Sequence, residues 1–389
     1  MTHSIDFSSL GTTTLLRGGK GDYVRDLFLD RKVTTPVLLI SRSEVRQNYD
    51  AIRAAIPRAA VHYAVKSNNH QAIVSEIRTQ GGNFDICSAA EIDTILRTGI
   101  STSEVIHSHP IKSQHEFDYA VEKGVRIFVV DNPEEVKKLA RYSDTRLKIL
   151  IRFRINTNTR AVVNLQYKFG CTTDEVLPLA RQIKEAGHDY YGLCFHIGSQ
   201  CIYPENYVIA IAAARGLITT LNNHGLPTSM LDIGGGFPVE YVEPYPPIDE
   251  FCAPIRDALD AHIAPDIKVV CEPGRYISAS PVTLVCSVVG KALRDGKMWY
   301  YLNDGLYSTF SGIVFDHCQY PVVTNLRGKE KLSVLSGPTC DSFDVMYDGL
   351  MIPEHNIGDI MVFPLTGAYC AVSGSDFNSL KRPDYVIID

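Results

Sequence analysis

One local pattern recurs eight times between residues 60 and 271 of this 389-residue chain. Short apolar runs of strand length occupy 60–64, 83–87, 105–109, 125–131, 148–155, 190–197, 229–233 and 268–271. Helix-like stretches lie between them, for example 88–97, 133–142, 173–186 and 207–223. Strands alternating with helices of this length build parallel sheets, because a parallel neighbour is reached only through a crossover. Eight strands with seven visible helices is the count of a (β/α)8 barrel of the TIM type. A doubly wound open sheet is the competing architecture, and eight regular units argue against it.

The pattern changes after about Arg275. Segments 281–289, 299–302, 331–335 and 360–363 read as short strands split by Gly, Pro and Asp, with little helical periodicity. This predicts an all-β second domain. Residues 1–35 lack helix-forming runs over most of their length and are expected to join it. The expected division is therefore 1–35 as an N-terminal segment of the β domain, 36–275 as the barrel, and 276–389 as the C-terminal β domain.

Composition narrows the class of partner. A formal net charge of -6 without blocks of like charge argues against nucleic acid, whose phosphates demand a basic face. The first residues, Met1-Thr-His-Ser-Ile-Asp-Phe7, have neither a basic segment nor a long apolar run, so no signal peptide is expected. No stretch is long and apolar enough to predict a membrane span. Ten cysteines occur without a CxxC pair or metal-type spacing, and several sit inside apolar runs. They read as reduced, mostly buried thiols of a cytoplasmic protein, with no metal site expected.

In a barrel of this kind, chemistry gathers at the C-terminal ends of the strands. Those ends carry Lys66, Asp85, His107, Asp131, Arg154, His196, Gly234-Gly235-Gly236 and Glu272. Topology alone would bring them to one face. Lys66 closes the run Ala60-Val-His-Tyr-Ala-Val-Lys66, a poor structural place for lysine. It suits a Schiff base, since burial lowers an amine's pKa and frees its lone pair. Three glycines after Leu231-Asp-Ile233 let backbone N–H groups approach an anion, although a tight turn needs glycine too. His196, in Phe195-His-Ile-Gly-Ser199, can stack on a flat heteroaromatic ring or be a satisfied core histidine. In Cys271-Glu-Pro-Gly-Arg275, Glu272 could hold a proton on a pyridine nitrogen and Arg275 could pair with phosphate; an ion pair across the turn is the alternative. A Schiff-base lysine, an anion cradle, a pyridine-nitrogen carboxylate and a stacking imidazole together describe a site for pyridoxal 5'-phosphate.

The motifs Tyr63-Ala-Val-Lys66, Phe84-Asp85 with Glu91, Phe195-His-Ile-Gly-Ser199, Asp232-Ile-Gly-Gly-Gly-Phe237, Glu272-Pro-Gly-Arg275, Asn303-Asp-Gly305, Gly337-Pro-Thr-Cys-Asp341 and Gly367-Ala-Tyr369 carry a resemblance. From about residue 35 to 380 the chain resembles the alanine-racemase-fold decarboxylases of basic amino acids. Within that group it is most similar to ornithine decarboxylases, including bacterial forms that also accept lysine. The resemblance implies a (β/α)8 barrel with a β domain. It also implies diamine formation and polyamine biosynthesis, with a homodimer whose active sites are shared across the interface. It implies that Lys66 bonds the cofactor and His196 stacks on its ring, with Glu272 at the pyridine nitrogen. Ser199, Gly235, Gly236, Gly274, Arg275 and Tyr369 would surround the phosphate, and Asp85, Glu91 and Arg154 would support the lysine side. Cys340 would return a proton to the substrate's α-carbon. Asp316 and Asp341, two acids with no basic partner within their own motifs, would grip the distal ammonium, and Phe377 would line the substrate site.

The chain departs from the pattern at Ser67, where ornithine enzymes more often have Cys or Ala, and at Val239, where many relatives keep Gly. Phe195–Gln200 reads more like the diaminopimelate branch. Two other readings follow: a decarboxylase of diaminopimelate or of a conjugated diamino acid, and a catalytically silent regulator of the same fold. The regulator should have lost cofactor ligands that this chain retains.

Overall fold

The computed structural model describes residues 2–4, 16, 19–30, 34–155, 167–241 and 244–389. The chain forms two compact units, one of residues 48–238 and 245–274, the other of residues 1–47, 239–244 and 275–389.

The first unit is a closed barrel of eight parallel strands: Ala59–Ala64, Asn83–Ile86, Ile106–His107, Ile127–Val130, Lys148–Arg152, Asp189–Cys194, Met230–Asp232 and Lys268–Cys271. Each pairs with the next, and the eighth closes on the first with Val270 opposite Ala60. All eight predicted runs contain strands, most of them shorter than predicted; the third keeps only two residues.

Alternation along the strands decides which side chains face inward. Ile106, Ile127, Val129, Leu150, Cys194, Met230 and Val270 pack as one inner layer. Asp85 lies opposite Ile106, Arg152 opposite Cys194, and Asp232 opposite Val270, so all three share that inner face. His107 has the other parity. It stacks on Phe128 with ring centroids 5.7 Å apart, and Phe128 stacks in turn on Phe117 of the helix Gln114–Glu122. His107 is thus part of the packing between barrel and helices, not of the strand-end cluster that its position in sequence suggested.

Short polar caps start several of the helices that follow the strands. Ser88 Oγ accepts from Glu91 N, Ser113 Oγ from Glu116 N, and Asn132 Oδ1 from Glu135 N with Pro133 in the first turn. Thr172 and Glu175 form a reciprocal capping box. Such caps satisfy amides that a helix leaves unpaired, each worth about 1 kcal/mol.

The second unit is a curled mixed sheet. Its central strand, Val282–Arg294, pairs through its first half with Val37–Ile40 and Ile360–Phe363, and through its second half with Lys297–Leu302. A bulge between Val288 and Gly290 separates the halves. Glu330–Ser336 and Val345–Pro353 extend one side; Val322–Thr324 and Thr2–Ser4 extend the other. Asp384–Ile387 pairs in parallel with Val37–Ile40, so both ends of the chain enter this sheet. Since Val37–Ile40 hydrogen-bonds here, the N-terminal share of this unit runs past residue 35, where the sequence expectation placed its limit.

Candidate active site

Lys66 lies in a single 3-10 turn, Val65–Ser67, directly after the first barrel strand. Its Nζ stands 2.5 Å from Asp85 Oδ2, and the Asp85 side chain is fully buried. The Lys66 side chain is one-third exposed (33%), so it is an ion-paired amine at the rim, not the isolated buried amine that the strand-like run implied. Ser67 is buried beneath it and donates to Ala64 O at 2.9 Å. A Cβ at Gly274 would come within 2.9 Å of Ser67 Cβ, which explains glycine there. Glu91 Oε2 accepts from Cys87 N at 2.7 Å. Burial pushes this carboxyl up to about 7 despite that amide.

Three strand-end loops meet on the inner face. Gly234 has φ +68° and donates to Asp232 Oδ1 at 2.8 Å. A Cβ at Gly235 would stand 2.4 Å from Glu272 O, and one at Gly236 would stand 2.2 Å from Gly198 O. The triplet is therefore required by backbone-to-backbone approach, beyond what a turn alone needs. His196 Nδ1 accepts from Gly198 N at 3.0 Å, which puts the ring proton on Nε2. Burial, with help from Arg152 and Lys66, holds this imidazole well below its usual range, so it is neutral. Ser199 follows on the same loop, half-buried.

Glu272 and Asp232 are hydrogen-bonded through their side chains. Burial, then the Asp232 and Asp85 charges, raises Glu272 well above the carboxylate range. Burial likewise pushes Asp232 up to about 7. Two buried acids this close share a proton instead of both ionising. Glu272 Oε1 and Asp85 Oδ1 are buried without hydrogen-bond partners. Arg152 adds a guanidinium on the inner face, with Nη2 buried and unpartnered. Arg154 lies two residues past the ladder; its backbone N donates to Cys171 O, and its Nε is buried without a partner. Asp131 is spent on structure, accepting from Gly170 N at 2.8 Å.

The remaining predicted residues belong to the β unit. Arg275, 3% exposed in its side chain, donates through Nη2 to Asp316 Oδ2 at 2.6 Å and through Nη1 to Tyr241 at 2.9 Å. It also lies 5.0 Å above the Tyr369 ring. Asp316 thus has a basic partner, Arg275, which reading its motif in isolation did not reveal. Asp341 is elsewhere: it accepts from Tyr307 Oη and from Phe343 N, and these bonds lower its pKa. Tyr307 stacks on Phe377 at 4.5 Å. Cys340 N donates to Asn378 Oδ1 at 3.1 Å. Cys340 is the one exposed thiol of ten, and eight of the others are buried. Asp316 and Asp341 therefore sit in separate hydrogen-bonded groups.

Sequence reading missed Arg152, Asp232 and Tyr307. Parity would have found the first two, since each shares the inner face with a residue of the core. Tyr307 reaches Asp341 across 34 residues, and nothing local announces it. Among the described residues, no group of three or more His, Cys, Asp or Glu is placed to hold a metal ion.

Fold and site together define a barrel enzyme built around a pyridoxal cofactor. Residues 42–279 match the pyridoxal-binding domain of the pyridoxal-dependent decarboxylases, and the chain belongs to that family. It is 35% identical over 367 residues to the lysine/ornithine decarboxylase of Selenomonas ruminantium, covering 93% of this chain and 91% of the relative. Ornithine decarboxylase of Mus musculus is 33% identical over 350 residues, covering 85% and 75% respectively. The crystal structure of lysine/ornithine decarboxylase from Vibrio vulnificus, in complex with cadaverine, superposes with a TM-score of 0.89 at 37% identity, covering 96% of this chain and 99% of that one. The residues fit pyridoxal 5'-phosphate as cofactor: an amine at the rim, a buried carboxyl oxygen without partner, and a glycine loop that a Cβ would fill.

Proposed function

We propose that this enzyme decarboxylates ornithine, lysine or both, giving putrescine or cadaverine, and that Lys66, Glu272, Cys340 and Asp341 carry the reaction. The observation that carries the reading is the paired arrangement of Lys66 on Asp85 beside a buried Glu272 oxygen that has no partner. The cofactor, when bound, supplies a conjugated sink for the electron pair left as CO₂ departs. Lys66 is the residue that would bond it, and Asp85 can hold or take the proton at Nζ. Glu272 would hold a proton against the pyridine nitrogen, aided by Asp232, which keeps the pair from losing both protons. Neutral His196 offers a flat, uncharged face for stacking. Gly235, Gly236, Gly274 and Ser199 would line the phosphate with Arg275 and Tyr369, and Glu91 and Arg154 would support the lysine side.

On the substrate side, Cys340 is the donor whose Sγ proton replaces the lost carboxyl at the α-carbon. Asp341, held ionised by Tyr307 and Phe343 N, fits a distal ammonium, and Phe377, stacked on Tyr307, would line the same site. Asp316 serves Arg275 and the ammonium together. A distal carboxylate would meet like charge here, which disfavours diaminopimelate.

Cys340 and Asp341 of one subunit completing the Lys66 site of a second subunit would make the enzyme a homodimer. No described helix is long and apolar enough to cross a membrane. A cytoplasmic role in polyamine biosynthesis suits the reduced thiols and the proposed products. Measuring CO₂ release from ornithine, lysine, arginine and diaminopimelate tests the substrate reading. A preference for diaminopimelate, or for a substrate without a free distal amine, would sink it while leaving the decarboxylase class intact.

A further inference from the structure

The motifs Asn303-Asp-Gly305 and Gly337-Pro-Thr-Cys-Asp341 are meshed by a residue outside both. Asp344 is 1% exposed, and its carboxylate has no cation beside it among the described residues. Oδ1 accepts from Leu306 N at 2.8 Å. Oδ2 accepts from Thr339 N at 3.1 Å and from Thr339 Oγ1 at 2.7 Å. Its own carbonyl accepts from Gly337 N at 2.8 Å, and its amide donates to Asp341 O at 3.1 Å.

The glycines show how tightly this carboxylate is held. A Cβ at Gly305 would stand 2.4 Å from Asp344 Oδ1, and one at Gly337 would stand 2.2 Å from Oδ2. Glycine is needed at both places because the carboxylate occupies the space. Asp304 stiffens the same corner by accepting from Gly305 N, Thr309 N and Thr309 Oγ1. The two loops that Asp344 joins carry Tyr307 on one side and Cys340 with Asp341 on the other, and Tyr307 Oη bonds Asp341 across the same seam.

We propose that Asp344 is a positioning residue for decarboxylation: its buried carboxylate clamps the loop of Tyr307 to the loop of Cys340 and Asp341, fixing where the proton donor and the ammonium-binding acid stand. The inference rests on the roles given above to Cys340 and Asp341. A buried carboxyl group is costly unless its oxygens are hydrogen-bonded, and three donors from two loops satisfy them here. An error of about 1 Å at a reacting group costs on the order of a hundredfold in rate.

The test compares Asp344→Asn, Thr339→Val, Thr339→Ser and Cys340→Ala in the cofactor-loaded enzyme. Readouts are kcat and KM for ornithine and lysine, cofactor retention, and the rate of alkylation by iodoacetamide, to which Cys340 is the exposed thiol. Asp344→Asn should lower kcat at least about tenfold and change the Cys340 alkylation rate at least about threefold, with the cofactor retained as in the wild type. Thr339→Val should move both readouts in the same direction, less far, and Thr339→Ser, which keeps the hydroxyl, should recover most of that loss. If Asp344→Asn does not fold, the Thr339 pair decides. Unchanged kcat and alkylation in a folded Asp344→Asn enzyme, or a Thr339→Ser as poor as Thr339→Val, overturns the clamp. A fully active Cys340→Ala would instead overturn the reading on which it rests.

Discussion

Replacing Gly236 with alanine is the sharpest test of the glycine cradle. Gly236 has φ +108°, a region that L-residues rarely adopt, and its Cβ would stand 2.2 Å from Gly198 O. The strained backbone costs about 1–3 kcal/mol. Forcing extra volume into a packed place costs about 1–3 kcal/mol more. Neither cost can be relieved by a side-chain rotation, because the obstacle is a carbonyl. That carbonyl belongs to the loop that carries His196 and Ser199, so relief requires this loop to move by roughly 1 Å, and with it the ring-stacking face. If the folded barrel survives and the distortion falls on the cradle, the dissociation constant for pyridoxal phosphate should rise by about 100- to 1,000-fold, equivalent to ~3–4 kcal/mol. The assay is titration of the cofactor-free chain, followed by the visible absorbance of the lysine-bound cofactor. Gly216→Ala is the control. Gly216 lies in the helix Glu205–Asn223 with nothing within 4 Å of its added Cβ, and alanine there should leave the affinity unchanged and stabilise the helix by up to ~1 kcal/mol. Gly236→Ala binding the cofactor within about threefold of wild type would refute the reasoning.

Three further outcomes follow from other contacts. Mixing inactive Lys66→Ala chains with inactive Cys340→Ala chains should restore up to about one quarter of wild-type activity, since half the dimers are mixed and each has one intact site; no recovery, with subunit exchange shown separately, counts against a shared site. Burial raises Glu91 to about 7, above its unfolded value of 4.5, so the folded chain holds the extra proton between those values and loses stability as pH rises through that window, at up to ~1.4 kcal/mol per unit. Denaturant melts of the cofactor-free chain from pH 5 to 7 should show a less negative slope in Glu91→Gln than in the wild type, by up to ~1.4 kcal/mol per pH unit, the share of this one proton beside those of Asp232 and Glu272. Asp316→Ala removes the carboxylate that orients Arg275, so it should weaken pyridoxal phosphate binding by roughly tenfold as well as raise KM for ornithine, whereas Asp341→Ala should raise KM with cofactor affinity unchanged; equal cofactor affinity in both variants would separate Asp316 from Arg275.

The barrel was legible because its signal is local. Each strand announces itself by a short apolar run, and several of the helices by a polar cap, as at Ser88, Ser113 and Asn132. Topology then converts eight separate strand ends into one face, which is how Lys66, Asp85 and Glu272 could be grouped before any contact was known. Parity was the weaker step. His107 stands at a strand end but on the outer face, while Arg152 and Asp232 have the inward parity and were passed over for Arg154 and for the glycines beside them. The β unit was less legible for a different reason. Its strands pair residues far apart in the chain, as Val282 pairs with Ile40, and no periodicity encodes such a partner.

The charges of the β unit show what this costs a functional reading. Asp316 and Asp341 look alike in sequence, each an acid after apolar or small residues. The fold gives Asp316 a guanidinium at 2.6 Å and gives Asp341 a phenol and an amide. An acid already neutralised by arginine offers less net attraction to an ammonium than one held only by neutral donors. In the proposed site, most of the selectivity for a cationic tail would therefore rest on Asp341, and through it on Tyr307 and on the proposed Asp344 clamp between their loops. Asp316 stands where the arginine proposed to hold the phosphate and the acid proposed to meet the substrate are the two halves of one ion pair. A substitution there should not be separable into a cofactor effect and a substrate effect.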